Sequence, residues 1–261
     1  MRTRKIGSLE VSVVGLGCNN FGGRIDEAAT KAVVDAALDA GITLFDTADI
    51  YGGTLSEEFL GRALAGKRDR ALIATKFGGP IDDDRKGGAS AAYISRACDD
   101  SLRRLGTDRG WARFVSVQNE YSLLRRGPEK QGVLDACAKH DIAFIPYFPL
   151  ASGVLSGKYE RGAPPPAGTR LAGLPEERRE QALSDAVMNR VEALDGWARA
   201  HKHTLLELAF AWLTARPVVA SVIAGATKPE QVVANAAAAE WSLTPADLDE
   251  IDGVIAAAKG R

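Results

Sequence analysis

Short apolar runs that end at polar clusters alternate along this chain with longer segments whose apolar residues recur at helical spacing. The runs VVGLGC (Val13 to Cys18), TLFDTA, ALIATK, VSVQNE, AFIPYFPL and Ala220 to Ala224 have the length and β-branched content of buried strands. Between them, Asp26 to Ala40 places Ala29, Val33, Ala36, Ala37 and Ala40 on one face, with an acidic first turn and Gly41 as a stop. Further helices are predicted over Ser56 to Ala65, Ala91 to Leu105 (ended by Gly106), Glu129 to His140, Ser184 to Ala215 and from near Pro229. The tail, Thr244 to Ala257, opens on a Thr-Pro-Ala-Asp capping pattern. Strand and helix in alternation argue for parallel strands in an α/β fold.

The pattern also points to chemistry. In TLFDTADIY, Thr43 to Tyr51, the apolar run ends in Asp46 and a tyrosine follows five residues later. The next run ends in Lys76. Carboxyl ends of parallel strands are where α/β folds gather their reactive groups, so an acid, a phenol and an amine can converge there. A neighbouring ammonium favours the phenolate form of a tyrosine, and a carboxylate keeps that ammonium charged and oriented. Tyr51 then donates a proton to a carbonyl oxygen while hydride reaches the carbon. Taken singly, the same residues also fit a loop cap, a rim tyrosine and an exposed lysine.

Composition narrows the classes. With 261 residues, 46% hydrophobic and 26% charged, the chain can bury one large core, so a single domain spanning residues 1–261 is the default. A net charge of −1 leaves no broad basic field for nucleic acid or anionic membrane. Cys18, Cys98 and Cys137 form no CxxC pair, which predicts reduced thiols in packed positions and no metal site. The amino terminus lacks an apolar run of secretory length and no window has the apolar length of a membrane span, so a cytoplasmic protein is expected.

Several blocks together resemble the aldo/keto reductase superfamily, in its bacterial branch: GLGCNNFGG, LFDTADIYGG, LIATKFG, VQNEYSLL, PYFPLASGVLSGKY and SVIAGATKPEQVVANA. They follow the family's order from Ile6 to about Ala257. The resemblance implies a TIM-type (β/α) barrel whose bottom is plugged by a hairpin from residues 2–12. It also implies an NADPH-dependent reduction of a small carbonyl substrate, with Asp46, Tyr51 and Lys76 as three members of a catalytic tetrad.

One segment departs from that pattern. SLRRLGTD runs through Arg109, Gly110 and Trp111 directly into ARFVSVQNEY. At about thirty residues per βα unit, two units are missing after Asp108, near 108–112. In the family these carry the tetrad histidine and a Ser-Asn pair that binds the nicotinamide amide. His140, His201 and His203 stand elsewhere, where solvated or capping roles suit them. The expectation is therefore a barrel shortened to about six parallel strands. Losing an even number of units keeps strand polarity, but six strands leave a cramped interior or an unpaired gap.

The same resemblance places cofactor contacts at Gly17, Gln118, Tyr147, Pro149 and Leu150, with Tyr147 stacking on the nicotinamide. The irregular stretch ASGVLSGKYERGAPPPAGTRLAG resembles the loop that folds over the pyrophosphate, through Gly153, Gly157, Lys158 and Arg170. GATKPEQ resembles the adenosine-phosphate site: Gly225, Thr227 and Lys228 toward the 2′-phosphate, Gln231 and Asn235 toward adenine. A lysine at a helix amino terminus is an anion site on physical grounds as well, and it favours NADPH over NADH. The chain thus reads as an NADPH-dependent reductase weakened by loss of the catalytic histidine. The competing reading is a non-catalytic NADPH-binding or interaction protein derived from one.

Overall fold

The computed structural model describes residues 1–77, 80–81, 91–107 and 116–258. The expected break at 108–112 falls outside the described residues. In chain order the elements are β1 (Thr3–Ile6), β2 (Leu9–Ser12), β3 (Val14–Gly17), α1 (Glu27–Asp39), β4 (Leu44–Asp46), α2 (Leu55–Ala63), β5 (Leu72–Ala74) and α3 (Ala91–Leu105). There follow β6 (Ser116–Glu120), α4 (Gly127–Lys130), α5 (Val133–Lys139), β7 (Ala143–Tyr147), α6 (Glu176–Ala182), α7 (Asp185–Ala200) and α8 (Leu205–Thr214). The chain closes with β8 (Val222–Gly225), α9 (Pro229–Ala238) and α10 (Pro245–Ala258). Two compact units divide these elements: residues 1–115 with 223–236, and residues 116–222 with 237–261.

In the first unit β1 and β2 form the expected antiparallel hairpin. A four-stranded sheet has the order β5-β4-β3-β8, with β3–β4 and β4–β5 parallel. Leu16, Leu44 and Phe45 are buried in it. Helix α1 begins where Asp26 accepts a hydrogen bond from the Ala29 N–H, and it buries Val33, Val34, Ala37 and Leu38. Helices α2 and α3 approach closely at Gly61, where a Cβ would stand 2.4 Å from the Arg104 carbonyl oxygen. Only glycine fits there. Cys98 is exposed on α3, against the expectation of a packed thiol, because it sits on that helix's outer side beside exposed Arg96 and Asp99.

In the second unit β6 and β7 pair in parallel register from Ser116–Ala143 to Glu120–Tyr147. The helix expected over Glu129 to His140 is two helices, α4 and α5, because Gly132 adopts φ +70° and breaks the run. Helix α8 is buried along most of its length and starts at a capping box between Thr204 and Glu207. Two guanidinium groups lie near the ring of its Trp212, Arg126 at 5.2 Å and Arg216 at 4.7 Å from the ring centroid. Arg126 also bonds Glu129 and Asp252, tying α4 to α10. The tail cap forms as expected: Thr244 and Asp247 exchange side-chain-to-backbone hydrogen bonds at 2.7 and 3.2 Å.

Candidate active site

Three residues singled out from the sequence meet at one end of the first unit's sheet. Asp46 is the last residue of β4 and is only 6% exposed. Lys76 lies two residues beyond β5; its Nζ donates to Asp46 Oδ2 at 2.8 Å and to the Thr47 carbonyl at 2.6 Å. The same ammonium stands 5.2 Å from the centroid of the Tyr51 ring. Carboxylate, ammonium and phenol are therefore neighbours.

The local backbone explains why. Hydrogen bonds continue past the strand ends, from Cys18 N to Asp46 O (2.8 Å), Thr47 N to Ala74 O (2.8 Å) and Asp49 N to Lys76 O (3.0 Å). Tyr51 opens a 3-10 turn, Tyr51–Thr54, in which Gly52 takes φ +58°. A Cβ on Gly52 would lie 2.5 Å from the Phe21 carbonyl oxygen, so this glycine lets the Tyr51 turn press against the loop after β3. Asp46 also acts on Cys18: burial pushes that thiol well above its ordinary value, the Asp46 charge adds to the rise, and Lys76 opposes it.

The sequence pattern missed a set of residues that fasten these strand ends. Ser56 Oγ donates to the Cys18 carbonyl and contacts Thr47 Oγ1, each at 2.9 Å. Glu57, fully buried, accepts from Thr75 Oγ1 at 2.6 Å and from Arg104 Nε at 2.6 Å. Glu57 and Arg104 are 47 residues apart in the chain, and nothing local in the sequence signals their pairing.

The expected phosphate residues of the first unit gather at the end of β8. A Cβ on Gly17 would lie 3.5 Å from the Gly225 nitrogen, so β3 and β8 end in close backbone approach. The Asn20 side chain donates to the Ala226 carbonyl at 3.1 Å and steadies the turn that follows. Thr227 directs its N–H (2.7 Å) and hydroxyl (3.2 Å) at Gln231 Oε1. Lys228 is exposed just before α9, and Asn235 is buried on it. The Gln231 amide oxygen thus takes the donors that an anion's oxygen would take at this ten-residue helix.

In the second unit Gln118 lies within β6, and Tyr147 ends β7 and is 40% exposed. Tyr147 packs edge-on against Phe148 at 5.4 Å, and the Arg170 guanidinium lies 4.8 Å over the Phe148 ring. Phe148, unnoticed in the sequence, links the two predicted contacts. Buried Pro149 and half-buried Leu150 lead into a 3-10 turn, Ala151–Ser156, where Gly153 has φ +92°. A Cβ on Gly153 would meet Lys158 Nζ at 2.7 Å, so this glycine makes room for the lysine. Among the described residues no cluster of His, Cys, Asp and Glu is arranged to hold a metal, and no helix is long and apolar enough to cross a membrane.

Comparison with known proteins finds relatives over nearly the whole chain. A family model described as "Aldo/keto reductase family" matches residues 13–110 and 108–256. A probable voltage-gated potassium channel subunit beta of Arabidopsis thaliana is 29% identical over 309 aligned positions, covering 95% of this chain and 94% of the relative. L-glyceraldehyde 3-phosphate reductase of Escherichia coli (strain K12) is 28% identical, with 95% and 90% covered. The solved structure of aldo-keto reductase AKR11C1 from Bacillus halodurans, in its holo form, superposes with a TM-score of 0.79 at 29% identity over 97% of this chain and 96% of that one.

Proposed function

Because the chain belongs to the aldo/keto reductase family and has its TIM-type α/β fold, we propose that it reduces aldehydes or ketones to alcohols with NADPH. The observation that carries this reading is the convergence of Asp46, Lys76 and Tyr51 at the carboxyl ends of β4 and β5. Tyr51 gives its phenolic proton to the carbonyl oxygen. The Lys76 ammonium over the ring stabilises the phenolate left behind, and Asp46 with the Thr47 carbonyl holds the ammonium in place. When bound, the cofactor supplies hydride to the carbonyl carbon.

The donors at the start of α9 suit such a cofactor. Lys228 and Thr227 offer a positive charge, a hydroxyl and an N–H at a helix amino terminus, a set that favours a 2′-phosphate. Gly17, Gly225, Gln231 and Asn235 complete the adenosine end, while Gln118, Tyr147, Pro149, Leu150, Gly153, Lys158 and Arg170 serve the nicotinamide and pyrophosphate.

The reductase is slow in this reading, because the tetrad histidine is lost with two βα units. Three observations support that loss. The family model matches in two segments that meet at 108–110. The alignment to the plant relative spans 309 positions, more than the 261 residues of the chain. His140 and His201 cap the ends of α5 and α7, and His203 follows in the turn before α8. A missing acid–base group lowers the rate by roughly 10²- to 10⁴-fold.

The test is NADPH oxidation by the purified chain with a reactive aromatic aldehyde, with Tyr51→Phe in parallel. Turnover that disappears in Tyr51→Phe while NADPH still binds supports the assignment. Turnover that survives defeats it. A folded chain that binds NADPH without any turnover favours the second reading, a non-catalytic binder, to which the loss of the histidine and the Ser-Asn pair also points.

A further inference from the structure

Lys76 lies beyond the last paired residue of β5, between exposed Thr75 and exposed Phe77, yet its ammonium is held at hydrogen-bond distance from Asp46. The Asp49 N–H holds the Lys76 carbonyl at 3.0 Å, and the first turn of α2 adds side-chain contacts to the same strand ends. Ser56 binds the carbonyl of Cys18, which follows β3, and the hydroxyl of Thr47, which follows β4. Glu57 binds the hydroxyl of Thr75, which follows β5. Two consecutive buried side chains thus secure the ends of three strands.

Glu57 is an expensive way to achieve this. Its side chain is 0% exposed and that of its partner Arg104 is 9% exposed, and a buried ion pair seldom stabilises a fold more than apolar residues of the same volume would. What a carboxylate offers and a leucine does not is two directional acceptors. One takes Arg104, which also reaches Ser101 Oγ at 3.3 Å, and is fixed by it; the other then presents a fixed oxygen to Thr75. The hydroxyl it captures belongs to the residue immediately before the lysine.

We propose that Glu57 is a positioning residue that, anchored by Arg104, holds Thr75 and through it sets Lys76 against Asp46 and the Tyr51 ring. The proposal rests on the reductase reading for its consequence in turnover, but the placement of Lys76 is measurable without it. Thr75→Val deletes the donor and keeps the shape of the side chain; Thr75→Ser keeps the donor.

Three quantities are compared in the full-length parent and both variants: kcat with the aromatic aldehyde, NADPH affinity by fluorescence titration, and the acetylation rate of Lys76 by acetic anhydride, read by mass spectrometry. Thr75→Val is expected to lower kcat about tenfold or more, the scale of a misplaced reacting group, with NADPH affinity little changed. It is also expected to raise Lys76 acetylation several-fold, because an amine released from its hydrogen bonds to Asp46 and the Thr47 carbonyl is more accessible to the reagent. Thr75→Ser restores both. A folded Thr75→Val protein with parental kcat and parental Lys76 acetylation overturns the proposal, as does a Thr75→Ser protein no better than Thr75→Val. If the parent itself turns over no aldehyde, the reductase reading fails, and Lys76 acetylation alone decides the role of Glu57.

Discussion

Lys76 Nζ lies 2.8 Å from Asp46 Oδ2, joining a carboxylate that is almost wholly buried to an ammonium that is 37% exposed. The pair therefore has an inner, fixed member and an outer member that can face a bound molecule. Replacing the inner one should release the outer one. Asp46→Asn is expected to lower kcat about a hundredfold, the lower end of the range for groups acting in proton transfer, with NADPH affinity little changed. Steady-state kinetics beside a cofactor titration checks this, and an unchanged kcat removes Asp46 from the catalytic set.

Lys228 stands exposed before the first turn of α9, next to the Thr227 donors. If it meets the 2′-phosphate, Lys228→Ala loses a charge-assisted contact of about 1.5 kcal/mol, roughly tenfold in Kd. The loss is expected for NADPH and not for NADH. Fluorescence titration with each nucleotide separates the cases, and an equal loss for both removes the phosphate assignment.

The Glu57–Arg104 pair makes a prediction about stability that is independent of turnover. Arg104→Met leaves the Glu57 carboxylate buried without its counter-charge and is expected to cost about 3 to 5 kcal/mol in urea unfolding. The double variant Glu57→Leu with Arg104→Met removes both charges and is expected to recover much of that loss. A single variant as stable as the parent would mean that the pair is not held in solution as it is here.

Acid should weaken the second unit at α8. Burial raises the Glu207 carboxyl, but the Thr204 N–H and hydroxyl and His203 together outweigh it and hold the group below its ordinary value. A depressed carboxyl stabilises the fold above its unfolded pKa of about 4.3 and loses that contribution as pH falls through the folded value. Glu207→Gln is therefore expected to lower Tm at neutral pH and to change it less at an acid pH below the folded value. An equal loss at both values would assign the effect to packing.

Local features were legible in the sequence, and those made by distant partners were not. The helix expected over Asp26 to Ala40 forms as Glu27–Asp39, the Thr244 cap forms, and α3 has the expected bounds, because caps and periodicity are properties of neighbouring residues. Asp46, Tyr51 and Lys76 could be picked out because strand ends in an α/β chain bring together residues far apart in sequence. The apolar run predicts a strand over Ala220 to Ala224, and β8 forms at Val222–Gly225, two residues later at its start and one at its end, since an unbroken apolar run carries no mark of register. Glu57 lies in the first turn of α2, where an acid is common and carries no local mark of a special role. Only the fold shows that it faces Thr75 and Arg104, and that Phe148 lies between Tyr147 and Arg170.

The first unit contains residues 223–236, and Asn20 reaches an Ala226 carbonyl 206 positions further along the chain. During synthesis, therefore, β3 waits for its outer neighbour β8 while a separation such as the 206 positions from Asn20 to Ala226 is being made. Until then Val14 and Leu16 belong to a strand with one open edge, the kind of surface that recruits other chains. Pairings so remote in sequence also slow folding. The loop at Thr227 and Lys228 is thus made long after β3, and fragments ending before Thr227 are expected to depend on chaperones and to lack that loop altogether.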